Sequence, residues 1–310
     1  MKTKFILSAA ILLVFFTCCS TSGDDETFVN DDGRKLRQLT IAQVEEDEVT
    51  RSLVALTRAS LEDAGGKTLS ASWTKDDRLA YCNLSDLYGA PGTSIGYLKA
   101  TATAATSSFD GEIVCKEGDR VAVVYPYKEN HISSTPNDVT FTLDLKNQDG
   151  TLETLAKDYH FICGIAKIES VTDNTASATI QMKSLLAICR FSFVDEDGNS
   201  ITVNNLSICY SDESGSEYPT SVSIRVSQSK PEDVKANGIL DESNKILTIS
   251  TANGLNDVYV ALFPTGKRDY FFTVQSTAGD TYEGTATATL NAGKFVPATL
   301  TLNRTNTTNK

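Results

Sequence analysis

Histidine is almost missing from this chain of 310 residues: only His131 and His160 occur, and neither has a supporting motif. Imidazole is the usual acid–base group and the commonest metal ligand near neutral pH. Its scarcity removes most hydrolytic and zinc chemistries. No CxxC pair occurs, and beyond the N-terminus an odd number of cysteines remains: Cys82, Cys115, Cys163, Cys189 and Cys209. Most sit in alternating apolar runs such as Phe161-Ile162-Cys163, which suits buried small hydrophobes. One disulfide stays open for an exported chain, whereas the spacing is wrong for zinc. Lysine and arginine form no cluster, and 28 basic residues stand against 40 acidic ones, a net charge of -12. Nucleic acid is thereby excluded as a partner. No phosphate loop, dinucleotide fingerprint or metalloprotease helix occurs.

What chemistry-like motifs there are do not survive inspection. Gly92-Thr93-Ser94-Ile95-Gly96 matches the G-x-S-x-G of hydrolases. That serine needs a sharp strand-to-helix turn, and here Tyr97-Leu98 continues as a strand. Asp195-Glu196-Asp197-Gly198 opens like a calcium loop, but position twelve is Leu206 instead of a bidentate glutamate. A hairpin turn is the better reading. His160, between Tyr159 and Phe161, reads as a half-buried strand residue, and Trp73, the only tryptophan, as a core anchor. The chain is read as a non-enzyme with no catalytic residue, cofactor or metal.

The N-terminus is more informative. Lys2 and Lys4 precede an apolar run over Phe5 to Phe16, broken only by Ser8. A run of about a dozen residues is too short for a bilayer span, which needs about 20, so it reads as the core of an export signal. Thr17-Cys18-Cys19-Ser20 follows and resembles a lipobox, whose cysteine is acylated and becomes the mature N-terminus. Cys19 is favoured, with Thr17 two before it and small Cys18 one before. Cys18 would place bulky Phe16 at minus two. An ordinary cleaved signal with incidental cysteines is the other reading. Acylation would make outer-membrane lipid a partner, each buried methylene contributing about 0.8 kcal/mol. The acidic Asp24-Asp25-Glu26 resembles the surface-export tethers of lipoproteins in Gram-negative gut anaerobes.

From Leu69 onward alternating, β-branched and aromatic runs recur between turn residues. Strands are expected at Arg78–Cys82, Asp119–Tyr125, Val139–Leu145, Tyr159–Ile168, Cys189–Val194, Ile201–Tyr210, Val222–Val226, Ile246–Ser250, Val258–Phe263, Tyr270–Gln275, Thr281–Thr289 and Val296–Leu302. Leu39 to Glu45 reads as a short strand; Val54 to Leu61 fits strand or helix. No long stretch has helical periodicity, so the class is all-β sandwich. Removing the leader leaves about 290 residues, the size of two domains. The polar Val171-Thr172-Asp173-Asn174-Thr175 is the place to divide them. The expected organisation is a signal at 1-19, an acidic tether and candidate removable first strand at 20-50, and sandwiches at 51-174 and 175-310.

Several segments together resemble the fimbrillin family, the subunits of type V pili in Gram-negative anaerobes. Thr57-Arg58-Ala59 is similar to its Thr-Arg-Ala leader. Trp73-Thr74-Lys75-Asp76-Asp77-Arg78-Leu79-Ala80 is similar to its W-x-x-G-D strand, with Asp76 in place of glycine. Ser108-Phe109-Asp110-Gly111 and Val121-Ala122-Val123-Val124-Tyr125-Pro126-Tyr127 resemble its F-x-G segment and Y-x-x-Y-P strand. Lys183 to Phe193 resembles the strand opening its second domain, and Val258 to Pro264, Asn291 to Phe295 and Ala298–Leu302 its closing strands.

The resemblance implies two tandem transthyretin-like Greek-key β-sandwiches. It also implies assembly by strand complementation: an Arg-specific protease removes the first strand, and a strand of another subunit fills the groove. Arg58 and Arg51 are the candidate processing sites, against the alternative of an uncleaved first strand with ordinary surface arginines. The expected product is a structural or adhesive fimbrial subunit at the outer membrane and cell surface, a tip or accessory subunit among the options, with other pilus subunits as partners. Val296–Leu302 is either the donated strand or the chain accepts without donating. The competing expectation is a monomeric surface lipoprotein that binds a glycan or host protein.

Overall fold

The computed structural model describes residues 32–44, 60–63, 69–87, 94–129, 132–135, 138–212, 215–217, 220–226, 239–240 and 246–305. In chain order the first strands are β1 (Lys35–Gln43), β2 (Ser60–Asp63), β3 (Leu69–Ser72), β4 (Arg78–Asn83), β5 (Ile95–Ala100), β6 (Ser108–Cys115), β7 (Arg120–Tyr125), β8 (Ile132–Thr135) and β9 (Asp138–Asp144). A helical turn, α1 (Leu152–Thr154), runs into a π-helical turn over Leu155–Tyr159. Then come β10 (Ile162–Val171), β11 (Thr175–Ile180), β12 (Lys183–Ser184), β13 (Ala187–Val194), β14 (Val203–Asp212), β15 (Gly215–Glu217) and β16 (Ser221–Val226). The last are β17 (Ile239–Leu240), β18 (Leu247–Leu255), β19 (Asp257–Leu262), β20 (Thr265–Ser276), β21 (Thr281–Leu290), β22 (Phe295–Thr301) and β23 (Asn303–Arg304). The class is all-β, as the period-two patterning requires. Among the described residues no helix is long and apolar enough to cross a membrane.

The largest sheet runs β11-β1-β6-β5-β4-β7-β10-β12. Because β11 also pairs with β10, seven of these strands close into a ring and β12 stands outside it. The ring is filled by side chains that alternate inward, among them Leu39, Ile41, Leu79, Leu98, Phe109, Ile113, Val121, Val123, Ile162 and Ile168. Trp73 is fully buried there, edge-on to Phe109 and Tyr125 with ring centroids 4.9 and 5.3 Å away. Offset and edge-on aromatic packing of this kind adds about 0.5–1.5 kcal/mol per pair beyond burial.

The polar turn at Val171–Thr175 lies within this sheet. It is the hairpin between β10 and β11, closed by a hydrogen bond between the Thr172 and Thr175 hydroxyls, Oγ1 to Oγ1, at 2.7 Å. A division of the chain at 174 would split the ring between two neighbouring strands. Turn chemistry marks a reversal of direction, and a hairpin and a linker both need one.

The second half builds around β13, antiparallel to β19 and parallel to β22, with β14, β20 and β21 forming the facing sheet. Its core is not drawn from the second half alone. Leu61, Leu69, Ala71, Leu143, Leu145 and Leu155 join Phe191, Phe193, Val260 and Phe272 in one cluster. β9 also pairs with β16 from the second half. The strand expected at Tyr159–Ile168 begins only at Ile162, because Tyr159 closes the π-helical turn and donates its hydroxyl to Lys146 O at 2.7 Å. Val296 to Thr301 lies in β22, paired along β13, and Leu302 is buried in the same core.

Candidate functional site

β1 is the element that the rest of the ring is built around. Its residues alternate, with Arg37, Leu39 and Ile41 inward and Leu36, Gln38 and Thr40 outward. On one side it runs parallel to β11, from Gln38 opposite Thr175 to Gln43 opposite Ile180. On the other it runs antiparallel to β6, from Lys35 opposite Cys115 to Ala42 opposite Ser108. Leu39 and Ile41 have no exposed surface, and full burial of such a side chain contributes about 1.5–3 kcal/mol. Without β1, β6 and β11 would face each other across a gap with unpaired backbone groups and two vacant apolar sockets.

Polar contacts clamp both ends of the strand. Arg34, just ahead of β1, donates to both oxygens of Asp119, from Nε at 2.7 Å and Nη2 at 2.9 Å, and from Nη2 to Ser85 O at 2.8 Å. Asp119 also accepts from Asn83 Nδ2 at 3.0 Å and Lys116 N at 3.1 Å, so all of this buried carboxylate is spoken for. Arg37 donates from Nε to Thr172 O at 2.7 Å and from Nη1 to Cys115 O, bridging the two neighbours of β1. At the far end Trp73 Nε1 donates to Gln43 Oε1 at 2.7 Å, and Val44 N to Ile180 O at 2.9 Å.

The chain resumes its described course at β2, which is held elsewhere. Asp63 accepts from Arg190 Nη1 at 2.6 Å and Tyr259 Oη at 3.0 Å, while Leu61 is buried in the second-half core. Burial drives the Tyr259 phenol up to about 12, and its bond to the Asp63 carboxylate pushes the same way. β1 and β2 are therefore anchored to different cores, and residues 45–59 connect them.

Arg51 and Arg58 belong to that connection and lie outside the described residues, as do Cys18, Cys19 and His131. His160 is buried. Ser94 leads straight into β5, which is a strand and not the helix a nucleophile elbow requires. Asp195 spends its carboxylate on its own turn, accepting from Asp197 N, Asn199 N and Asn199 Nδ2 at 2.8–3.0 Å. Among the described residues no group of three histidine, cysteine or acidic side chains is placed to hold a metal. The five later cysteines are free thiols; burial pushes Cys82, Cys163 and Cys189 up to about 12 and Cys115 to about 11. Such thiols are poor nucleophiles. Sequence alternation pointed to Leu39 and Ile41, but Arg34, Arg37, Asn83 and Asp119 carry no such signal, since these contacts join residues 36 to 135 positions apart.

No family model and no curated protein matches the chain. Solved structures do. A "putative cell adhesion protein" from Bacteroides uniformis aligns over 88% of this chain and 94% of its own, at 13% identity and TM-score 0.50. One from Bacteroides ovatus aligns over 88% and 96%, at 16% identity and TM-score 0.47. A fimbrial protein from Bacteroides ovatus aligns over 87% of this chain and 50% of its own, at 10% identity and TM-score 0.40. At these identities the likeness to the Bacteroides uniformis structure is one of fold.

Proposed function

We propose that the chain is a surface-exposed adhesive or structural fimbrial subunit that assembles by exchanging β1 for a strand of another subunit. The observation that carries this reading is the position of β1, built into the ring between β6 and β11 yet joined to the rest of the protein through residues 45–59 alone. A cut after Arg51 or Arg58 leaves β2 fixed by Asp63 and turns β1 into a separate peptide held only by non-covalent contacts. A slot with two free edges and apolar sockets is the acceptor that strand addition needs. The fold shared with a cell adhesion structure and the fimbrillin resemblance point the same way.

In this reading an acylated Cys19, or Cys18, carries the chain to the outer membrane, and the cut releases lipid and β1 together. The two halves are tandem transthyretin-like sandwiches, divided between Met182 and Ala187 and sharing β2, β3 and β9 across the divide. Donation of β22 would strip its ladder from β13 and pull Leu302 out of its core, which favours an accepting role. Mass spectrometry of the native surface protein tests the proposal: the assembled form should begin at Ser52 or Ala59. An acylated cysteine at the N-terminus of assembled protein sinks it.

A further inference from the structure

A second feature of the ring lies beside β1, whose Gln38 lines it. The ladder between β5 and β6 holds only at Lys99 with Asp110 and Ala100 with Phe109. Beyond it the paired register stops, and a pocket of about 670 Å³ opens there, within the range of small-ligand sites. Two glycines allow close packing at this place. A Cβ on Gly96 would lie 2.7 Å from the Tyr81 ring, and one on Gly111 would lie 2.8 Å from Tyr97 O. Tyr81 forms the floor, its hydroxyl donating to Glu112 O at 2.6 Å. That bond takes the carbonyl an incoming peptide strand would use.

The walls are unusual in leaving their charges unspent. Lys99 and Asp110 are directly opposite in register, where opposite charges ordinarily attract, yet they form no ion pair. Lys99 Nζ lies instead 5.8 Å from the centroid of the Tyr97 ring. Among the described residues Asp110 Oδ1 has no hydrogen-bond partner, a costly state for a covered acceptor. The terminal torsion of an aspartate is soft, so a donor in the pocket can recruit that oxygen. Lys75, Asp76 and Glu112 complete the charged lining. Tyr97 is 42% exposed at the rim, with the Arg78 guanidinium 5.0 Å over its ring and Tyr127 5.5 Å away ring to ring.

These facts select a ligand class. Three carboxylates demand donors and two lysines demand acceptors, within one pocket and with little net charge. An anion would meet the carboxylates and a cation the lysines. A neutral polyhydroxyl compound supplies donors and acceptors together, and a sugar ring can pack its apolar face against the exposed edge of Tyr97. We infer that this pocket beside the β5–β6 ladder is a binding site for a neutral saccharide, with Gln38 of β1 in its wall while β1 is in place.

The test uses the full-length chain, uncleaved, on a printed array of neutral, sialylated and sulfated oligosaccharides, with an extended peptide library alongside. The best neutral oligosaccharide is then titrated in solution. Tyr97→Ala and Asp110→Asn should each weaken its binding about tenfold or more, the size expected for loss of one good contact to a charged or aromatic group. Glu112→Gln should do the same, and Phe271→Ala, an exposed aromatic in the second half, should not. Unfolding midpoints are measured beside each variant, and at least two pocket variants with unchanged midpoints must show the loss. The assignment is overturned by an absence of neutral-glycan binding, by preference for sialylated or sulfated glycans, by neutral-glycan binding indifferent to these substitutions, or by peptide binding that depends on them.

Discussion

Asp119 is 2% exposed and accepts four hydrogen bonds, two of them from a guanidinium that is itself nearly covered. Removing one partner of such a pair strands the other charge away from water, which costs about 3–5 kcal/mol. Asp119→Ala should lose stability of that order in urea denaturation. The contrast is Lys35 with Asp173, 3.5 Å apart with Asp173 almost fully exposed. Lys35→Ala should change the midpoint little, because exposed pairs contribute about 0–1 kcal/mol. Asp149 supplies a pH signature. Burial works to raise its carboxyl, but hydrogen bonds from Thr151 and Thr154 outweigh this and hold it below the ordinary aspartate value. A depressed carboxyl contributes stability that is present above the unfolded value of about 3.9 and lost as pH falls through the folded one. Asp149→Asn should therefore be less stable than the native chain at pH 7, and the difference should shrink toward pH 3 in paired thermal melts.

At the scale of elements, period-two patterning located most strands within a few residues, since each alternating run puts one face on a core. β13, β19 and β22 sit where Phe191, Val260 and Leu300 alternate with their neighbours, whereas β4 and β7 are apolar runs buried on both faces. β1 starts at Lys35, four residues before the apolar alternation becomes visible, because Arg37 faces inward with its guanidinium satisfied by Thr172 O and Cys115 O. A buried arginine looks like a surface residue until its partners are known. Pairing was less legible still. Nothing local tells β9 to join β16 or β11 to run parallel to β1, because register between distant strands is a property of the whole chain. Of the candidate site, the strand itself and its two apolar sockets could be read, and the clamp and the pocket could not. Close approach is equally hidden. A Cβ on Gly164 of β10 would lie 2.4 Å from Gln181 O, where the chain leaves β11. Gly164→Ala should cost about 1–3 kcal/mol through forced displacement of that crossing, measured by chemical denaturation. An unchanged midpoint would mean the crossing is free to move.

The whole molecule turns on one covalent link. While residues 45–59 are intact, β1 is at enormous effective concentration beside its slot, and the ring is closed by an intramolecular strand. Once the link is cut at Arg51 or Arg58, the same contacts become a bimolecular complex. Stability then follows the free concentration of the strand, as it does for any ligand that binds only the folded state. The nicked protein should show an unfolding temperature that falls on dilution, while that of the intact chain does not. Excess synthetic peptide covering residues 32–44 should restore it. The same peptide with Leu39→Ala and Ile41→Ala should fail to, since each truncation of a buried side chain costs about 2–5 kcal/mol. Differential scanning calorimetry at two protein concentrations, before and after limited cleavage with an Arg-specific protease, separates the cases. A nicked chain whose melting is independent of dilution and of added peptide would show that β1 is no longer part of the cooperative fold, and that the slot is stable empty. In that event strand exchange would have no thermodynamic drive from the ring, and the incoming strand would have to supply its affinity from contacts beyond β6 and β11.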